Sequence, residues 1–261
     1  MSMARRDKEL SMASAKPRPK GGGLGETIKI VIQALLLALV VRTFLFQPFN
    51  IPSGSMKDTL LVGDYLFVSK YAYGYSRFSL PFGQYLTSFG RVWGSLPKRG
   101  DVVVFKLPRD ESTDYIKRVI GLPGDKIQMI NSVLYINGKA VPRVSDGFYV
   151  TKDAFGAETK VQRYRETLPE GVSYDTLQLD PNGFENNTPV YEVPPDHLFM
   201  MGDNRDNSTD SRVLSAVGYV PVENLVGRAE VIFFSVDEDA AAWEVWKWPW
   251  TVRWERLFKL L

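Results

Sequence analysis

The chain has 261 residues, a nearly balanced formal charge of +2, no cysteine and a single histidine, His197. That length can bury a substantial core as one large or two small domains. The lack of cysteine excludes a disulfide framework and thiolate chemistry, a zinc site would need mostly carboxylate ligands, and no overall basic footprint for nucleic acid is visible.

Residues 1–26 form the first segment. Arg5, Arg6, Lys8, Lys16, Arg18 and Lys20 stand there against Asp7 and Glu9, and Pro17, Pro19 and Gly21-Gly22-Gly23 follow. With no packable apolar content, this reads as a flexible basic tail. Residues 27–46, Thr27 to Phe46, read as a transmembrane helix, because about 20 apolar residues cross a hydrocarbon core of roughly 30 Å. Lys29 and Arg42 lie near its two ends, where long cationic side chains reach the headgroups. A buried core helix also fits, since the uninterrupted apolar run, Ala34 to Val41, is short. A cleaved signal peptide fits less well, because the bulky Phe44-Leu45-Phe46-Gln47-Pro48 stands where a small-x-small site belongs. The positive-inside rule places the basic tail in the cytoplasm and everything after Gln47 on the far side of the membrane.

Ile51-Pro52-Ser53-Gly54-Ser55-Met56-Lys57-Asp58-Thr59-Leu60 follows closely. Pro52 and Gly54 disfavour helix and strand, so this is a loop that presents its side chains. Beyond it the chain breaks into short β-branched or aromatic runs bounded by Gly, Pro and Asp: Tyr65–Ser69, Asp101–Lys106, Tyr115–Ile120, Ile127–Ile136 closed by Asn137-Gly138, and Ala229–Val236. Each predicts a strand, and the body is mainly β. Between them, residues 72–99 carry Tyr73, Tyr75, Phe78, Phe82, Tyr85, Phe89 and Trp93 without clear period. Two readings fit equally, a long loop packed on the core and an aromatic surface dipping into a bilayer interface. Residues 126–195 are polar and loop-rich and read as an inserted, smaller β subdomain. The flanking stretches 47–125 and 196–236 make the larger β domain. Residues 237–261 hold five of the six tryptophans (Trp243, Trp246, Trp248, Trp250 and Trp254) among Lys247, Arg253, Arg256 and Lys259. Indoles favour the headgroup zone and cations favour anionic lipid, so this tail is expected to contact membrane lipid. Its removal before Trp243 is expected to leave the chemistry intact.

Three features could carry chemistry. In a strand Lys117 shares a face with Tyr115 and Val119, and desolvation there would lower its pKa from about 10.4 toward the range a general base needs. The plainer reading is an edge-strand lysine kept for solubility. Met200 to Arg212 is a dense polar loop whose Asp203, Asp206 and Asp210 could ligate calcium, but the spacing is not that of an EF-hand. Arg205 and Arg212 make an internal ion-pair network the better reading. His197, in Val193-Pro194-Pro195-Asp196-His197, is the only imidazole a serine triad could use.

Taken together, Ser53-Gly54-Ser55-Met56-x-x-Thr59-Leu60, Gly63-Asp64, Arg99-Gly100-Asp101-Val102-Val103-Val104-Phe105, Tyr115-Ile116-Lys117-Arg118, Gly121-Leu122-Pro123-Gly124-Asp125 and Gly202-Asp203-Asn204-Arg205-Asp206-Asn207-Ser208-Thr209-Asp210-Ser211-Arg212 resemble the successive boxes of bacterial type I signal peptidases, in that family's order. The likeness runs from about Val41 to Gly227 without the inserted region. Lys57-Asp58 departs from it, since many members have a proline before the threonine, as does the single anchor where some members have two.

The resemblance implies a Ser-Lys dyad on a mostly antiparallel β domain. Ser55 would be the nucleophile and neutral Lys117 its base. Ser208 would orient the lysine, and the Ser55 N–H and the Ser53 hydroxyl would form an oxyanion hole. Asp203 would pair with Arg118 and Asp210 with Arg212 to hold the site's shape. It implies preprotein substrates cut after a small-x-small motif, a membrane-lipid setting, no metal or organic cofactor and no nucleic-acid partner. The alternative from another class is a non-catalytic, membrane-tethered assembly or chaperone factor. A soluble self-cleaving repressor on the same core is disfavoured by the anchor.

Overall fold

A computed structural model describes residues 23–152, 157–238, 240 and 242–261. Most of the expected basic tail lies outside them. The chain divides into two units, residues 1–40 and 41–261. The first unit is most of helix α1 (Leu24–Phe44), 21 residues that are long and apolar enough to cross a membrane and of which only Thr43, near the C-terminal end, is buried against protein. The helix starts and stops a little earlier than its composition predicts, because Phe46 already belongs to a strand.

The second unit is mainly antiparallel β, as the short alternating runs imply. Its strands are β1 (Phe46–Asn50), β2 (Asp64–Ser69), β3 (Val102–Lys106), β4 (Asp114–Gly121), β5 (Lys126–Ile130), β6 (Val133–Ile136), β7 (Lys139–Ala140), β8 (Arg143–Lys152), β9 (Glu158–Thr167), β10 (Ser173–Gln178), β11 (Tyr191–Glu192), β12 (His197–Met201), β13 (Val220–Pro221), β14 (Leu225–Ser235) and β15 (Lys259–Leu260). The main sheet runs β1-β2-β14-β3-β4-β12-β13, with β15 also on β14. Pro48 can sit in β1 because that strand is at the sheet edge, where a missing N–H costs no ladder bond. β14 shifts register twice against β2 and once against β3. Such bulges bend and twist a strand, which curls the sheet.

The period-2 pattern of Val102-Val103-Val104-Phe105 shows how the core forms. Val102 and Val104 pack with Ile51, Met56, Leu60 and Leu66 on one face. Val103 and Phe105 pack with Val119, Leu198 and Met200 on the other. A third cluster, including Ile120, Ile127, Leu134, Leu168 and Phe199, joins the main sheet to residues 126–195. Those residues form two small sheets, β11-β5-β6-β7 and β10-β9-β8.

Three sequence expectations need correction. Ile127–Ile136 is two strands rather than one, because Asn131 and Ser132 both take positive φ (47° and 65°) and turn the chain back. Such a pair of left-handed residues is the backbone of a tight hairpin turn, and Asn tolerates it. The aromatic stretch 72–99 is neither wholly packed nor wholly exposed: Tyr73 and Phe78 are buried, whereas Phe82, Tyr85, Phe89 and Trp93 are exposed. Finally, Arg253 and Arg256 of the tail do not present themselves to lipid. Arg256 is buried on Asp64 (Nη2–Oδ2 2.5 Å), and Arg253 donates to the Val62 carbonyl at 2.9 Å. Trp243, Trp246, Trp250 and Trp254 are exposed, while Trp248 packs on Phe234 with ring centroids 5.0 Å apart.

Candidate active site

Three elements converge at Ser55. β1 leads into Ile51, whose N–H bonds the Asp64 carbonyl, and the chain then makes a single 3-10 turn over Gly54–Met56. Met56 and Leu60 are fully buried and pin this turn on the core, leaving Ser55 8 % exposed at its start. The loop after β12 backs the turn from behind. Asn204 donates its N–H to the Ser55 carbonyl (3.1 Å) and its side-chain amide to the Gly54 carbonyl (3.0 Å). With both carbonyls tied back, and with no described residue accepting it, the Ser55 N–H is open to a ligand, as the first N–H groups of a helical turn generally are. The Ser53 hydroxyl lies 3.4 Å from Ser55 Oγ.

β4 supplies the third element. Lys117 Nζ donates to Ser55 Oγ at 2.7 Å and to the Ile116 carbonyl at 3.0 Å. It lies 5.2 Å from the Tyr115 ring centroid, so the aromatic neighbour expected from strand alternation is in place. Lys117 is only 3 % exposed. Burial lowers its pKa from the usual 10.5 to about 8, against the opposing pull of Asp210 and Asp203. A buried ammonium loses hydration it cannot recover from a hydroxyl and one carbonyl, whereas a neutral amine loses far less.

The two carboxylates are themselves neutralised. Asp203 takes Arg118 bidentately (2.9 and 2.7 Å) and Thr59 Oγ1 at 2.5 Å. Asp210 takes Arg212 bidentately at 2.8 Å and the Ser208 hydroxyl at 2.8 Å, and these cationic and hydroxyl partners hold its carboxyl below the usual carboxylate range despite burial. Ser208 therefore spends its proton on Asp210, and its hydroxyl makes no hydrogen bond to Lys117 among the described residues. It reaches the site through Gly202: a Cβ there would lie 2.5 Å from the Ser55 carbonyl oxygen and would meet Ser208 Oγ. His197 stands apart, with Nδ1 2.8 Å from the Pro195 carbonyl.

Sequence reasoning missed several supports. Thr59 and Asn204 lie inside the recognised boxes, but nothing in their spacing announces what they hold. Glu166 and Tyr174 lie in the inserted region. Glu166 is fully buried and binds Arg205 bidentately (2.8 and 2.6 Å), and the Tyr174 ring sits 4.3 Å below the Arg118 guanidinium. A lone Glu on one face of β9 gives no sign of that partnership, because Arg205 is 39 positions away.

Comparison with known proteins decides the family. The family model described as signal peptidase, peptidase S26, matches residues 24–234. The chain belongs to that family. It is 44 % identical over 243 residues to signal peptidase I of Rickettsia typhi, covering 87 % of this chain and 90 % of that protein. It is 46 % identical over 208 residues to the Rickettsia conorii signal peptidase I, with 77 % and 76 % covered. The crystal structure of an Enterococcus faecalis V583 signal peptidase I, 25 % identical, superposes on 51 % of this chain and 97 % of its own length with a TM-score of 0.29. Membership in peptidase S26 makes this chain a serine endopeptidase of the signal peptidase type.

Proposed function

We propose that the chain is a membrane-anchored endopeptidase that removes signal peptides from secreted preproteins after a small-x-small motif, using Ser55 as nucleophile and neutral Lys117 as general base. The observation that carries this is the 2.7 Å contact between Ser55 Oγ and the Nζ of a lysine that burial holds at a pKa of about 8. A serine hydroxyl needs an adjacent base to attack, and a base works best when its pKa lies near the working pH.

In this reading Lys117 Nζ takes the Ser55 proton as Oγ attacks the scissile carbonyl carbon. The oxyanion accepts hydrogen bonds from the Ser55 N–H and the Ser53 hydroxyl. The tetrahedral intermediate collapses, the Lys117 ammonium passes its proton to the leaving amine, and the mature chain departs. Lys117, neutral again, deprotonates a water that hydrolyses the Ser55 acyl ester. The pairs Arg118–Asp203 and Arg212–Asp210 hold the two loops in register without touching substrate.

β4 is paired with β12 only from Arg118 onward, so Asp114–Lys117 keeps one edge without a strand partner among the described residues. An extended peptide adding to that edge would bring a carbonyl carbon to Ser55. Helix α1 serves as the single anchor, with the basic N-terminus cytoplasmic and residues 47–261 on the other side. Residues 47–125 with 196–236 act as the catalytic domain, 126–195 as an inserted subdomain, and the exposed tail tryptophans meet lipid.

The test is cleavage of a purified preprotein by wild type, Ser55→Ala and Lys117→Ala, with N-terminal sequencing of the product. Cleavage after a small residue by wild type alone is the expected result. Persistent cleavage by Ser55→Ala, with contaminating peptidase excluded, would place the nucleophile elsewhere.

A further inference from the structure

A cavity of about 370 Å³ lies beside the nucleophile turn and takes no part in the dyad. That volume is at the small end of the roughly 300–1,000 Å³ that ligand sites occupy. On one side it is lined by Lys57 and Asn204, and on the other by Tyr149, Val161 and Leu177 of the inserted sheet. Asn204 is the residue that ties back the Gly54 and Ser55 carbonyls, and the Lys57 stem lies against Gly54. The cavity wall is therefore continuous with the catalytic turn.

The wall is also one coherent face of the β8-β9-β10 sheet. Tyr149 pairs with Val161, Thr151 with Thr159, and Leu177 with Arg163, so period-2 alternation puts all six on the same side. Arg163 on that face reaches Asp58 in the loop after Ser55 (3.5 Å), and the Leu177 N–H bonds the Asp203 carbonyl at 2.9 Å. These contacts hold the inserted sheet over the site, and Tyr149, Val161 and Leu177 form the apolar part of the face turned to the turn.

A second approach to Ser55 runs along the start of β4. β1 runs from the Arg42 end straight to Ile51. Tyr75 donates to the Phe44 carbonyl at 2.8 Å, and Lys70 lies in the field of both Arg42 and Asp114, the first residue of β4. The open edge of β4 thus leads from the Arg42 end toward Lys117, and on the peptidase reading the signal-peptide side of a substrate lies along it.

We propose that the cavity receives the residues just after the scissile bond, the first few of the mature protein, and that its apolar floor favours an apolar or aromatic side chain among them. This rests on the peptidase reading above and adds a specificity site to it. The polar members of the lining on the loop side, Lys57 (paired with Glu238 at 2.7 Å), Asn204, Asp206 and Asn207, suit contact with peptide backbone while a side chain enters against Tyr149, Val161 and Leu177.

The test compares two kinds of substrate with the detergent-solubilised full chain. One is a fluorogenic amide that ends at the scissile bond. The other is a set of quenched-fluorescence peptides with the same small-x-small side and four further residues, each position carrying Gly or Phe in turn. The wild type should prefer Phe at one of those positions by about tenfold in kcat/KM. Thr159→Trp and Thr151→Trp, which fill the cavity from opposite strands, should each erase that preference while hydrolysis of the short amide stays within about twofold. Lack of preference in the wild type, its persistence in both variants, or a parallel loss on the short amide overturns the assignment. A wild type that cleaves neither kind of substrate overturns the peptidase reading itself, and the subsite falls with it.

Discussion

Replacing Arg256 by Met should unfold the β unit at a markedly lower temperature, although Arg256 lies 201 positions beyond Ser55 in a tail that the sequence marks for lipid. Its guanidinium binds Asp64 through Nε (2.9 Å) and Nη2 (2.5 Å) and also donates to the Thr59 carbonyl at 3.0 Å. Asp64 is fully buried and in turn holds the Leu61 N–H and the Ser235 hydroxyl. Breaking a buried ion pair from one side costs about 3–5 kcal/mol, because the remaining charge stays desolvated and unpaired. Arg253 Nη1 is already 3.9 Å from Asp64 Oδ1 and recovers part of that loss, which favours the lower figure. At about 3 kcal/mol, and about 2–4 °C per kcal/mol for a domain of this size, Tm should fall by roughly 6–12 °C. The assay is thermal unfolding of the full chain in detergent, with Asp64→Asn/Arg256→Met as the decisive partner variant. Removing both charges leaves none stranded, so the double variant should regain at least half of the loss. A single-variant shift under about 2 °C, or a double variant no better than the single, would refute the reasoning. Truncation before Trp243 removes the same guanidinium and should inactivate by unfolding, contrary to the expectation from composition.

Four further outcomes follow from the site. With Lys117 as the proposed neutral base, its pKa lowered by burial to about 8, kcat/KM should rise close to tenfold per pH unit up to about 8 and level off above it; a flat profile between about pH 6 and 8 would exclude the role. Lys117→Met should abolish cleavage yet raise Tm at neutral pH. There the folded state must bury a protonated amine whose unfolded pKa is higher, so its penalty is fully present below about 8 and fades as pH rises toward 10.5; a lowered Tm at neutral pH would contradict this. Ser53→Ala should lower kcat by about 10²–10³ with little change in KM, measured on the same peptide, and a loss confined to KM would remove it from the oxyanion hole. Gly202→Ala puts a methyl 2.5 Å from the Ser55 carbonyl oxygen and should cost about 10²-fold in turnover through displacement of Ser55; full activity would mean that the loop yields freely.

The sequence discloses most of what is local and little of what is distant. Strands β2, β3 and β4 were legible because Val, Ile and aromatic residues alternate between Gly, Pro and Asp stops. β1 was not, because Pro48 argues against a strand until its edge position is known. The hairpin at Asn131-Ser132 was hidden because Ser gives a weaker turn signal than the Asn-Gly that follows six residues later. At the site, Ser55, Lys117 and both Arg–Asp pairs sit in motifs that carry their own resemblance. Glu166, Tyr174 and Arg256 have no such context: each acts through a partner that only the fold brings near. The inward turn of Arg253 and Arg256 was hidden for a related reason, since a tryptophan-rich segment with cations has the same composition whether its arginines face out or in.

The electrostatics around Lys117 show how a lysine among so many charges can serve as the proposed neutral base. Two carboxylates near a lysine would ordinarily raise its pKa and fix it as an inert ammonium. Here Asp203 and Asp210 each carry a bidentate arginine, so each reaches Lys117 as part of a neutral pair rather than as a bare charge. Arg212 also repels a proton on Lys117 directly. With the carboxylates screened, burial is left as the largest influence, and the lysine settles near 8 instead of near 10.5. The arginines are in turn held by groups that do not touch the reaction: Tyr174 beneath Arg118, the Gly100 carbonyl at 2.7 Å from its Nη1, and the Arg205 carbonyl at 2.6 Å from Arg212 Nη2. Arg205 itself is fixed by Glu166 of the inserted region. Strand β9 therefore bears on Lys117 through a chain of buried partners, Glu166 to Arg205 to Arg212 to Asp210, and a fault at the far end of that chain would reach the proposed dyad as a change in the protonation of one amine.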